Sequence, residues 1–175
     1  MLDAVVAAAP SAAQRATKPV TVVIKDLRLP QYLDRPQIVA RNDGNRLEVN
    51  EFEQWGGPLR EDMTRVLVTN LGRLLGGDRV VAAPYHMATL PDYRVEVDIL
   101  GFERVPGGRV RLSAQWWVSR GADTTLVASS EGTFSGEPLA ADVPYEKLVG
   151  SMSSVYGELA QAIARGIRPR GAGNS

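Results

Sequence analysis

Few side chains in this 175-residue chain have the types and spacing that catalysis requires. The only histidine is His86, and three serines, Ser151, Ser153 and Ser154, stand close together. A histidine that acts as a general base needs a nucleophile and an orienting acid within hydrogen-bond reach, and no local spacing supplies them. The serines lie in a predicted helix without the G-x-S-x-G elbow of many hydrolases. We therefore predict no enzyme; a hydrolase stays open only if the fold brings His86 beside a serine and an acid.

The sequence also offers little to hold a metal ion or a cofactor. It has no cysteine, which removes disulfides, thiol catalysis and cysteine-ligated zinc. Its carboxylates are scattered without the spacing of a calcium loop. The glycine pairs Gly76-Gly77 and Gly107-Gly108 fit a helix end and a tight turn better than a phosphate-binding loop. We predict neither a metal site nor a cofactor.

The charge balance excludes further classes of function. Twenty lysines and arginines match 20 aspartates and glutamates, so no net field attracts nucleic acid or an anionic bilayer. No run of 18 apolar residues is present, so the sequence predicts no transmembrane helix. The length suits a single domain that can form a core without disulfides or metal.

Alternating apolar residues predict a sheet. Residues 20–24 form a strand that is apolar on both sides and should therefore be central. Gln37–Arg41 and Arg46–Phe52 form a predicted hairpin around an Asp-Gly turn. The strongest alternation begins at Tyr93 and continues after the turn at 106–108, and it predicts an antiparallel meander of three strands with a bulge near Gly101. Arg79–Ala83 is a short strand candidate.

Two amphipathic helices complete the predicted fold. One opens at Pro58 and ends at the glycine pair, and the other runs from about Pro144 to Arg165; each has one apolar stripe. One-sided helices and a sheet with one polar face predict a single α+β domain, with a largely antiparallel or mixed sheet and both helices on one face. We expect a flexible tether at residues 1–18, the domain at 19–168 and a disordered tail at 169–175.

The turn Tyr32-Leu33-Asp34-Arg35-Pro36 has two interpretations. Proline and aspartate form turns routinely, so in the first interpretation the segment serves structure alone, with Tyr32 covering the edge of the core. A rigid loop that offers a tyrosine and an arginine also suits a docking surface. Both interpretations stay open.

The tryptophans divide by position. Trp55, just before a helix, covers the core or makes a contact with a partner. Adjacent strand residues point to opposite faces, so Trp116 joins the core while Trp117 stands among polar side chains. Trp117 is a candidate for contact with a partner or with a second copy, although a single exposed aromatic residue also occurs without function.

The region from Leu29 to Leu75 carries a resemblance to one family, the ABC-transport auxiliary lipoproteins typified by paraquat-inducible protein C. The matching pieces, in order, are Leu29-Pro30, Tyr32-Leu33-Asp34-Arg35-Pro36-Gln37-Ile38-Val39, Asn45-Arg46-Leu47, Glu51-Phe52 with Trp55, Pro58-Leu59, and Leu71-Gly72-Arg73-Leu74-Leu75. The resemblance implies a non-catalytic periplasmic accessory protein of an MCE/ABC-type lipid-transport system, which protects membrane integrity and acts by docking onto its protein partners.

The resemblance also implies an N-terminal lipid anchor in a membrane, most simply the outer membrane. No lipobox cysteine is present, so we expect the anchor cysteine upstream of Leu2 in the precursor. The alternative function is a module that binds a small ligand or a lipid between sheet and helices. Self-association remains open as well.

Overall fold

The computed structural model describes residues 2–3, 20–41, 46–76, 79–84 and 90–167, with the side chains of 50–53 excepted. The described elements follow the order β1 (Thr21–Arg28), β2 (Gln37–Arg41), β3 (Leu47–Gln54), α1 (Leu59–Leu75), β4 (Arg79–Ala82), β5 (Tyr93–Arg104), β6 (Val110–Arg120), β7 (Leu126–Ser135) and α2 (Tyr145–Ile167). The α+β prediction is confirmed. His86, the turn at 42–45 and the tail beyond residue 167 lie outside the described residues.

The seven strands form one mixed sheet in which β5 is the organising strand. One side of β5 pairs along its length with β6, which in turn pairs with β7, so the predicted antiparallel meander is confirmed. The other side of β5 is shared: β1 pairs in parallel with its first half, and β2 meets it at Arg104. The register shift between Ile99 and Gly101 is the predicted bulge.

The first strand is central, as its apolar residues predicted. It lies between β4 and β5 and is parallel to both. Val22 and Val23 point to opposite faces and both are fully buried. Strand β3 pairs antiparallel with β2, which confirms the predicted hairpin.

Both helices pack on the same face of the sheet, which leaves the other face without a helical layer. Their apolar stripes and the inward side chains of β5 and β6 form one core. Phe102 and Tyr156 join sheet to helix with ring centroids 6.2 Å apart. The Tyr156 hydroxyl donates to the Met63 carbonyl oxygen at 2.9 Å and so ties α2 to α1. Burial, and then the nearby Asp62 charge, raise the pKa of Tyr156 above its usual range.

The start of the chain differs from the predicted tether at its two described residues. Leu2 is fully buried in the core cluster. Its backbone N–H donates to Asp62 Oδ2 at 2.8 Å, and that of Asp3 donates to Ser153 Oγ at 3.0 Å. A leucine gains more from burial than from a place in a solvated linker, so residues 2 and 3 are held rather than free. The remainder of the predicted tether lies outside the described residues.

Candidate interaction surface

The helix-free side of the sheet, here called the open face, carries the outward side chains of β1, β5, β6 and β7. Most of them pair with one another. Lys25 Nζ lies 2.8 Å from Glu96 Oε1, and Gln115 Nε2 donates to Glu131 Oε2 at 2.7 Å. Arg28 Nε donates to Asp98 Oδ1 at 2.5 Å, and this bond, together with the Asp98 charge, raises the pKa of Arg28. Cross-strand pairs of this kind stabilise the sheet, and the charges in the ion pairs among them are already neutralised by each other.

A cavity of about 450 Å³ lies at one end of the open face, and we call it the Trp117 pocket. Its lining residues come from four strands and one loop: Lys25, Arg28, Arg94, Glu96, Trp117, Ser119, Thr124 and Leu126. Three cations therefore face one carboxylate. An anionic group that also carries an apolar part fits this combination of charge and aromatic surface.

Two features distinguish the pocket from the rest of the open face. The guanidinium of Arg94 has no hydrogen bond or ion pair with any described residue, whereas Lys25 and Arg28 are paired. Thr124, on the loop at the rim, has a φ of 59°, which is unusual for a β-branched residue. Arg94 is thus a positive charge available for a partner.

Strand pairing explains how the pocket forms. Glu96 on β5 lies opposite Trp117 on β6, and Arg94 lies opposite Ser119, so all four side chains share one face. The predicted separation of the tryptophans is confirmed, because Trp116 is 5% exposed in the core and Trp117 is half-buried on the open face. The sequence prediction missed Arg94, Lys25 and Arg28. The alternation after Tyr93 did indicate that Arg94 and Glu96 face outward, but it carries no information about β1 as their neighbour.

The predicted tyrosine turn lies at the other end of the open face. Tyr32 donates its hydroxyl to Glu103 Oε2 at 2.5 Å, and Arg41 Nε donates to Glu103 Oε1 at 3.1 Å. Glu103 is only 5% exposed. Burial, and then the bond to Glu103, raise the pKa of Tyr32. The Tyr32 hydroxyl is therefore engaged in holding the turn against the sheet.

The other predicted residues of the turn separate by burial. Leu33 is 3% exposed and belongs to the core, whereas Asp34, Arg35 and Pro36 are exposed. Asp34 Oδ2 lies 3.6 Å from Arg60 Nη2 on α1. Arg35 and Pro36 remain the accessible part of the turn.

Trp55 was predicted either to cover the core or to contact a partner, and in the structure it lies in the core. It is 7% exposed, and its backbone N–H donates to the Pro36 carbonyl oxygen at 2.7 Å. Trp55 and Leu33 therefore offer little surface to a partner, because the core already encloses their side chains. The structure brings Tyr32 and Trp117 onto one face, but Ser113 beside the turn and Trp117 are four residues apart on β6, about 13 Å.

Metal and membrane signals are lacking in the part of the chain that the structure describes. No three histidine, aspartate or glutamate side chains among the described residues form a group that could hold a metal ion. No helix there is long and apolar enough to cross a membrane.

Comparison with known proteins decides the family. The family model of the ABC-type transport auxiliary lipoprotein component matches residues 2–164 of this chain. The chain belongs to this family. The match includes the tyrosine turn, the Trp117 pocket and the docked Leu2, so all three are parts of an auxiliary lipoprotein domain. The resemblance seen in the sequence is confirmed, and family membership makes the protein a membrane-anchored component of an ABC-type transport system. Comparison with the curated proteins finds no match.

Solved structures share the fold of this auxiliary lipoprotein. A crystal structure of an uncharacterized protein is similar with a TM-score of 0.72 at 18% identity, over 86% of this chain and 100% of that one. Protein XCC0632 from Xanthomonas campestris has a TM-score of 0.71 at 15% identity, over 91% and 89% of the two chains. The PelC dodecamer from Paraburkholderia phytofirmans has a TM-score of 0.50 at 10% identity, over 87% and 92%. At these identities the likeness concerns the fold alone.

Proposed function

We propose that this auxiliary lipoprotein is a non-catalytic, periplasmic accessory component of an MCE/ABC-type lipid-transport system that protects membrane integrity. We propose further that it is anchored in the outer membrane through a lipidated N-terminus and acts by docking its open face onto another component. The observation that supports docking is the Trp117 pocket. A half-buried tryptophan lies there beside Arg94, whose guanidinium has no partner among the described residues, and tryptophan and arginine are residue types that dominate interface energies.

A pull-down with the transport components tests the docking surface. Trp117→Ala and Arg94→Ala should each weaken capture, since they remove the aromatic anchor and the free cation. Arg35→Ala, at the exposed part of the turn, tests whether docking extends to the other end of the open face. Arg165→Ala is the matched control, because this arginine is exposed on α2 on the opposite side. Capture that none of the open-face variants reduces would place the docking surface elsewhere.

The same surface can serve self-association. The similarly folded PelC forms a dodecamer, and we propose that copies of this chain also contact one another. Light scattering of the wild type and of Trp117→Ala separates the two uses of Trp117. A mass that falls in the variant assigns Trp117 to contacts between copies, whereas an unchanged mass with weakened capture assigns it to the transport partner.

A small-ligand or lipid-binding module is the second candidate. The volume and the mixed apolar and cationic lining of the Trp117 pocket support it, although this pocket lies on the sheet surface and not between sheet and helices. Binding of a ligand should change the tryptophan emission of the wild type and not that of Trp117→Phe. A titration without any spectral change across phosphate- and carboxylate-bearing lipids would remove this candidate.

The absence of catalysis is also a proposal. We expect no turnover in broad ester and phosphoester screens, and we expect His86→Ala to leave function in cells intact. A reproducible turnover that His86→Ala abolishes would mean that the protein is an enzyme.

A further inference from the structure

The binding of residues 2 and 3 has the character of a peptide-binding site occupied by the chain's own N-terminal segment. Both hydrogen bonds use backbone N–H groups as donors, one to Asp62 on α1 and one to Ser153 on α2. The Leu2 side chain is fully buried, and Ser153 is 4% exposed. The site thus holds two backbone N–H groups and one leucine side chain, and it is built by both helices.

The acceptor on α1 is held in place independently of the N-terminal segment. Asp62 Oδ1 accepts a hydrogen bond from Arg65 Nη2 at 2.5 Å, while Asp62 Oδ2 is the atom that accepts from Leu2. An ionised carboxylate has enough acceptor positions for both donors. The Arg65 bond fixes the orientation of the carboxylate, and this preorganisation favours binding of the Leu2 amide.

The site also defines a direction. Both helices cover one face of the sheet, so a segment bound by α1 and α2 starts from the helical layer. The Trp117 pocket and the tyrosine turn lie on the open face, on the opposite side of the sheet. Leu2 and Asp3 therefore lie on the side of the sheet that does not carry the candidate docking surface.

We propose that Leu2 and Asp3 act as a latch that sets the orientation of the domain at a membrane. With the latch closed, a lipid anchor upstream of Leu2 holds the helical layer toward the bilayer and presents the open face to a partner. This inference rests on the proposed N-terminal anchor. It assigns to the Asp62–Ser153 site a positioning role that a simple flexible tether would not have.

Site-specific fluorescence on vesicles tests the orientation. The chain has no cysteine, so a single introduced cysteine takes one label. Gln161→Cys places the label on the exposed side of α2, and Ser129→Cys places it on the open face opposite Trp117. A short histidine tag in front of Leu2 attaches the protein to nickel-chelating vesicles that contain a headgroup quencher. We expect stronger quenching at position 161 than at 129; equal or reversed quenching would overturn the latch.

Variants of the latch supply the second arm. Leu2→Asp should abolish the difference between the two labels, because a charged side chain is excluded from the buried site. Leu90→Asp is the control, since this leucine is 65% exposed. Melting curves show whether Leu2→Asp stays folded. If Leu2→Asp is unfolded, Ser153→Ala is used in its place, because it removes only the acceptor for the Asp3 N–H. A difference that persists in a folded latch variant contradicts the proposal.

The latch and the docking proposal fail separately. No transport component is present in the vesicle experiment, so loss of capture by Trp117→Ala leaves the orientation result untouched. Conversely, equal quenching of the two labels removes the latch while the pull-down still tests docking by the open face.

Discussion

The two adjacent tryptophans make the clearest test at the scale of the residue. Trp116 is 5% exposed, and its ring centroid lies 6.3 Å from that of Phe134, whereas Trp117 is half-buried on the open face. Truncation of a buried aromatic residue costs about 3–5 kcal/mol of unfolding free energy, and a surface truncation about 0.5 kcal/mol. The melting temperature of Trp116→Ala should therefore lie well below that of the wild type. The melting temperature of Trp117→Ala should lie close to that of the wild type. Equal melting temperatures for the two variants would contradict the assignment of faces.

Tyr32 predicts a dependence of stability on pH. Its pKa is raised in the folded protein, so the stabilisation is present below the unfolded pKa of about 10 and is lost as the pH rises above it. Tyr32→Phe should cost about 1–2 kcal/mol near neutral pH, because it removes a half-buried hydrogen bond to Glu103. Urea unfolding of both proteins should show this difference shrinking above about pH 10. A gap that stays constant would mean that the hydroxyl does not hold the turn.

At the scale of the element, the sequence predicted which face of a strand is buried better than it predicted which strands are adjacent. Alternation from Tyr93 onward fixed which side chains of β5 and β6 point to the core, and an interruption of that alternation located the bulge at Gly101. Hairpins join neighbours in the chain, so the meander followed from its turns. The parallel pairing of β1 with β5 did not follow, because side-chain alternation reports burial and not the identity of the adjacent strand. The cationic lining of the Trp117 pocket depends on that pairing and was missed for the same reason.

The hairpin between β5 and β6 predicts a graded response to alanine. Gly108 has a φ of 79°, and an added Cβ would lie 2.2 Å from the Leu139 carbonyl oxygen. Gly107 has a φ of 85° but open space around it, and Gly57 has open space and no positive φ. We expect losses of roughly 2–5 kcal/mol for Gly108→Ala, about 1–2 for Gly107→Ala and about zero for Gly57→Ala. Chemical denaturation gives the order; a Gly108→Ala variant as stable as Gly57→Ala would mean that the turn does not pack against Leu139.

At the scale of the whole molecule, nothing in the sequence indicates that Leu2 joins the core. An alanine-rich segment without periodicity normally predicts a tether, and a single leucine carries no pattern. Leu2 is buried because of tertiary structure. Two helices that are distant in the chain together form its site, with Asp62 on α1 and Ser153 on α2. The resemblance to the family could be seen in the sequence because it rests on local features. The order of turn, hairpin and helix can be read without knowledge of the packing.

Membrane association gives the last prediction, and it follows from charge. The chain has a formal net charge of zero, so long-range attraction to an anionic bilayer is absent. Under the proposed function, the N-terminal anchor supplies the attachment that charge does not. In cosedimentation with anionic vesicles at low salt, the untagged chain should stay in the supernatant, and the histidine-tagged chain should sediment with nickel-chelating vesicles. Sedimentation of the untagged chain that salt reverses would instead reveal a cationic membrane-binding surface, and Arg94 in the Trp117 pocket would be the first residue to replace.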